Sequence, residues 1–145
     1  MSKRLAIRNK VLELVESLAG FSPGNVALYK LDTVERTPFA SVYLNETETD
    51  NLHMMRGMAT MERTLSINVD FHLDSATDAD AEADALLEEL EQRILKAAMA
   101  GDIPGVRILF LASAEFRPTQ HGKQRAGDLV TTWRAEYEDS ISLSD

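Results

Sequence analysis

The chain has 145 residues, a formal net charge of −9, 44% hydrophobic and 27% charged residues, and no cysteine. That length suffices for one domain with a core of its own, while the lack of cysteine excludes disulfides, zinc–thiolate sites and thiol catalysis. The acidic balance argues against general nucleic-acid binding, which needs a basic footprint, and favours selective contact with basic surfaces.

The N-terminal residues are interrupted by Arg8, Lys10, Glu13 and Glu16, so a signal peptide's apolar run is missing. No stretch approaches the roughly 18 apolar residues of a membrane span. The expected setting is a reducing cytoplasm, with no membrane partner.

Residues 2–19 predict a first helix, because Ile7, Val11, Leu14, Val15 and Leu18 recur at helical spacing with Leu12 at the edge. Gly20 is a stop, and Ser22, Pro23 and Gly24 make a turn. Short strands are expected at 26–31 and 39–44, the second opened by Pro38. The pattern then fails over 45–60. Acidic Glu46, Glu48 and Asp50 precede Met54, Met55 and Met58, with Met61 just beyond. Long polar connections of this kind are functional or disordered, and thioether side chains suit a surface that adapts to a partner. The expectation is a mobile loop that orders on assembly, with plugging of the core edge as the plain alternative.

Over 63–73 the alternation is clean. Leu65, Ile67, Val69, Phe71 and Leu73 take one side, and Thr64, Ser66, Asn68, Asp70 and His72 take the other. This predicts a strand in the middle of an antiparallel sheet, its register held by burial of the apolar set. A second helix is expected over 78–100, capped by Thr77, with Ala83, Leu86, Leu87, Leu90, Ile94 and Ala97 buried. Gly101 ends it. Residues 106–111 and 113–117 predict two short strands or one bent one, 118–127 a polar basic loop, and 128–138 a last strand. In that strand Leu129, Thr131, Trp133, Ala135 and Tyr137 share a side. Residues 140–145 read as a loose tail. The fold class is α+β: two helices packed on one face of a mostly antiparallel β-sheet, in a single domain.

No catalytic constellation stands out in the sequence. Asp78, Asp80, Glu82, Asp84 and Glu89 mimic calcium-loop spacing, but the sixth position, which needs glycine, is Ala83. Gly122 and Lys123 lack the earlier glycine and the following Ser or Thr of a phosphate loop. His53, His72 and His121 form no helical pair, and His72 reads as a surface or interface residue. Trp133 reads as core. Arg117, Lys123 and Arg125 have no interleaved aromatics for stacking nucleic-acid bases. No catalytic, cofactor or metal residues are assigned, and the chain is expected not to be an enzyme.

The order of elements resembles the tail terminator proteins of long-tailed phages, the lambda-type minor tail protein U family. The similarity runs from the amphipathic helix LAIRNKVLELVESL through the strand PFASVYLNETE and the strand SINVDFHL. It continues through the acidic helix DADAEADALLEELEQRIL, the turn DIPG and the segment FRPTQHGKQRAGDLVTTWRAEYE, covering residues 4–139. Its specificity lies in order and spacing, and the methionine-rich residues 51–61 fall outside it. The resemblance implies a non-enzymatic subunit of a homohexameric ring in the virion tail. Such a ring caps the tail tube, stops its growth and offers a surface to the head-completion or connector protein, with DNA only passing through the lumen. Other readings are a different ring-forming neck or tail-completion protein, a small metal-dependent enzyme using the carboxylates, or an adaptor module. A ring also needs two unlike complementary surfaces on each subunit. The expected pair is the acidic stretch Asp78 to Glu91, Asp80 and Asp84 within it, against basic Arg117, Lys123 and Arg125 of the next subunit, with the 45–60 segment facing the channel, a neighbour or the tube.

Overall fold

The structure, a computed structural model, describes residues 2–28, 38–75, 79–103, 105–121 and 124–142. Among these, helices α1 (Lys3–Glu16) and α2 (Ala79–Met99) accompany strands β1 (Val26–Ala27), β2 (Phe39–Met55), β3 (Met58–Ser75), β4 (Val106–His121) and β5 (Gln124–Ser142). The spatial order is β1-β2-β3-β5-β4, antiparallel throughout except for the two-residue parallel contact of β1 with β2. The class is α+β, as expected.

Strand β3 lies at the centre, and its alternation decides the register. Leu65, Ile67, Val69 and Phe71 are fully buried and Leu73 nearly so. Each such burial contributes about 1.5–3 kcal/mol, and a slip of one residue would exchange that set for Ser66, Asn68, Asp70 and His72. Across the β3–β5 ladder stand Ala135, Trp133, Thr131, Leu129 and Gly127. The one polar member of that row is satisfied in place. Thr131 Oγ1 donates to the Val69 carbonyl and accepts the Trp133 indole N–H at 2.9 Å. Ile7, Val11, Val15 and Leu18 around α1 and Ala83, Leu90, Ile94 and Ala97 from α2 join the same core.

Helix α1 starts where Ser2 accepts the Leu5 N–H at 3.2 Å, a cap of about 1 kcal/mol. It stops short of the predicted 19, because the Ser17 hydroxyl donates to the Leu14 carbonyl and the chain turns left-handed at Gly20. Thr77, the expected cap of α2, lies outside the described residues, as do residues 29–31 of the strand expected at 26–31.

Three expectations are corrected. Residues 45–60 are not a connection without strand: β2 runs on to Met55 and β3 begins at Met58, so this stretch is a hairpin. Residues 118–127 are mostly strand, with β4 paired to β5 as far as His121 and Gln124. Of the expected loose tail 140–145, Ser140, Ile141 and Ser142 are strand, paired with Thr60, Ala59 and Met58, and residues 143–145 lie outside the described residues. Of the two readings for 106–117, the bent single strand is the right one, with register shifts between Val106 and Ile108 and between Leu111 and Ser113.

Candidate assembly surface

The hairpin of β2 and β3, flanked by the end of β5, forms a three-stranded arm. Two irregularities shape it: β2 has one residue more than β3 between the pairs Leu44–Ile67 and Thr47–Leu65, and one more between Thr49–Arg63 and Asn51–Glu62. Each extra residue is a bulge that bends the strand and reverses which residues face the core. The core side of β2 therefore reads Ala40, Val42, Leu44, then Thr47 and Thr49, then Leu52 and Met54. Gly57, at φ 82°, makes the turn at the tip, where a side chain would be strained.

Every residue from 48 to 58 is exposed. Leu52 is 56% exposed, Met54 70%, Met55 78%, Met58 49% and Ile141 44%. Ile141 stands across from Ala59, which stands across from Met54, so Leu52, Met54 and Ile141 share the core side of the arm, while Met55 and Met58 pair at its tip and face the other side. Apolar side chains exposed on both sides of one tip mark an interaction surface. The rim is acidic: Glu46, Glu48 and Asp50 are exposed along β2, with Asp50 accepting from the Thr64 hydroxyl at 2.7 Å. The structure thus brings six of the sequence-predicted residues, three acids and three methionines, onto one arm.

The other predicted residues do not join them. Asp80 and Asp84 lie exposed on α2, bordering a shallow cleft of about 250 Å³ with Ala83, Leu87, Ala114, Phe116 and Leu129. Arg117 follows Phe116 on β4 and so points to the opposite side of the sheet, across from Asp128. Its guanidinium is held by Glu115 at 3.0 Å. That hydrogen bond, and then the Arg117 charge, lower the Glu115 carboxyl below the usual carboxylate range. Both partners of this pair are exposed, 59% and 62%, so it holds Arg117 only weakly. Lys123 lies outside the described residues, and Arg125 is placed only by its backbone, across from Gln120 and Ser75.

Reasoning from the sequence missed the polar side of the central strands. Tyr43 donates to Asp70 Oδ2 at 2.7 Å, Asn45 to Asn68 at 2.9 Å, Asn68 to Thr132 at 3.3 Å, and His72 Nδ1 lies 2.8 Å from Asp128. Asp70 and Asn68 are almost fully buried although they face away from the core set. Burial first, then the hydrogen bond to Asp70 and its charge, push the Tyr43 phenol far above its usual range. The hydroxyl is thus a firm donor and a poor nucleophile. Period-two alternation had already put Asn68, Asp70 and His72 on one side; only the pairing register reveals what each meets. Among the described residues, no three His, Asp or Glu side chains are grouped to hold a metal ion, and no helix is long and apolar enough to cross a membrane.

Fold and surface together define an α+β protein with a projecting sheet arm. A scan against protein-family models and a search of curated proteins find no match. Among solved structures, the chain is similar to a chain in "Virion of native gene transfer agent (GTA) particle". The identity is 16%, the alignment covers 94% of each chain, and the TM-score is 0.46. A similarity of this extent carries no argument about function.

Proposed function

We propose that the chain is a tail terminator of a long-tailed phage or prophage: a virion structural protein, without enzymatic activity, that closes into a hexameric ring. In this reading the ring caps the tail tube, ends its polymerisation and presents a surface to the head-completion or connector protein, with DNA passing only through the lumen. It is assembled in the host cytoplasm and resides in the tail. Both helices lie on one face of the sheet, a packing supported by the core that α1 and α2 share with the apolar row of β3. Two things support the role: the resemblance in element order described above, and the arm.

The arm is the observation that carries the proposal. Leu52, Met54, Met55, Met58 and Ile141 stand exposed in the single subunit, whereas in an assembly they supply buried apolar area. Unbranched thioethers also adapt to more than one partner surface. The acidic rim of Glu46, Glu48 and Asp50 adds selectivity and steering rather than raw affinity. Native mass spectrometry and negative-stain images at high protein concentration test the reading. Six-fold rings, and tail tubes that stop growing when the protein is added, are expected. A subunit that stays single beside a tail tube, or one that turns over a substrate, overturns it.

A further inference from the structure

We infer that neighbouring copies join edge to edge, the free side of β2 in one subunit pairing antiparallel with the free side of β4 in the next. The inference rests on the ring reading and specifies its contact.

The two edges are long, unlike and open. Strand β1 pairs only with Ala40 and Ser41, so from Val42 onward β2 has β3 as its single neighbour among the described residues. At the other side of the sheet, β4 has only β5 as a strand neighbour among the described residues. An edge of this length offers a row of backbone N–H and C=O groups to another strand. Pro118 has no N–H to donate, which confines the useful part of β4 to the residues before it.

Register and direction agree with such a joint. Val42, Val69, Thr131 and Ala114 form one row across the four long strands, and Thr49, Arg63, Tyr137 and Val106 form another. The open part of β2 from 42 to 49 therefore spans the same rows as β4 from 106 to 114. Because β2, β3, β5 and β4 alternate in direction, a second copy set alongside in the same orientation presents β2 antiparallel to β4, and the alternation continues. The contact joins two different edges. It therefore propagates from copy to copy and closes into a ring when the rotation between copies permits.

Side chains beside the two edges are complementary. Exposed Glu46 and Glu48 flank the β2 edge. On β4 the Arg107 guanidinium is 61% exposed and only loosely held, 3.9 Å from both Glu62 and Glu136. Ile108 and Phe110 are exposed next to it, on the side of the sheet away from the core. A neighbour's acidic strand placed there pairs Arg107 and covers both apolar side chains, while the arm tip overhangs beyond.

The chain has no cysteine, so introduced thiols report the contact directly. Glu48→Cys is combined in turn with Arg107→Cys, Ile108→Cys and Ser113→Cys, all at exposed positions. Within one subunit β2 and β4 are three strand spacings apart, roughly 14 Å, beyond the ~7 Å Cα limit of a disulfide. Any bond must link two copies. At least one double variant should give an oxidised ladder of covalent multimers that collapses on reduction, while single variants stop at dimers. In unsubstituted protein, exchange of the amides at 106–114 should slow at least tenfold on ring formation. Rings with no ladder and unchanged exchange overturn the edge contact and leave the ring reading standing. A ladder from an assembly that never closes upholds the contact and overturns the ring. Failure to assemble at all overturns both.

Discussion

Tyr43 donates its phenolic hydrogen to Asp70 across the β2–β3 pair at 2.7 Å, tying a half-buried ring to a carboxylate that is 5% exposed. A hydrogen bond to a charged group is worth about 1.5–3 kcal/mol. Tyr43→Phe should therefore lower stability by about that amount, read as a reduced urea midpoint at unchanged slope. The pH dependence has a definite sign. Because the folded-state value is raised above the ordinary 10.0, the contribution is fully present below pH 10.0 and is lost as pH climbs beyond it. The native chain should lose more stability than the Phe variant between pH 9 and 11, about two units around that ordinary value. Equal losses in the two chains would remove the Tyr43–Asp70 pair from the account.

Thr131→Val keeps shape but strands the Trp133 indole N–H in the core, where its acceptor is the Thr131 hydroxyl at 2.9 Å. An unsatisfied buried donor costs about 1–3 kcal/mol. Thermal unfolding followed by Trp133 fluorescence should give a lower midpoint. A midpoint unchanged by the substitution contradicts the assigned bond.

Gly127 is required by close packing. A Cβ built there lies 2.4 Å from Phe116 Cζ and 2.7 Å from Cε2. Gly127→Ala should cost about 1–3 kcal/mol through overpacking. Phe116→Leu frees the space, so the double variant should be more stable than the sum of the single losses predicts. Simple additivity in denaturant unfolding would count against the contact.

Core and arm should respond in opposite ways. Ile67→Ala removes a fully buried side chain from the centre of β3 and should cost about 2–5 kcal/mol. Met54→Asp together with Met55→Asp alters exposed tip positions, so the subunit's own stability should move by about 0.5 kcal/mol per site or less, and rings should still form, while docking of the ring on the tail tube is lost. Thermal melts, native mass spectrometry and tube-capping images check the three. Normal capping by the Met54/Met55 variant would separate the tip from the tube contact.

How far the fold is legible in the sequence depends on whether each strand keeps its period. In β3 and the second half of β5 nothing interrupts the alternation, so the buried rows Leu65 to Leu73 and Leu129 to Tyr137 follow from residue order alone. Helix α1 is legible for the same reason, through Ile7, Val11, Val15 and Leu18. The arm was invisible because its two bulges each shift parity by one, so Leu44, Thr47, Thr49, Leu52 and Met54 share a face that no fixed period connects. The bend of β4 has the same origin.

For the candidate surface, residue types were the readable part: acids beside methionines at 46–58, with no catalytic grouping around them. The sequence alone does not say that Arg117 and the acids of α2 lie on opposite sides of the sheet within one subunit, and their expected pairing across a subunit boundary stays a proposal. What the linear chain determined by itself is which strands and helices own a continuous apolar face, because burial rewards a simple period wherever the backbone is regular. What only the tertiary structure decided is where regularity breaks and which edges stay open. Those depend on neighbours dozens of residues away along the chain.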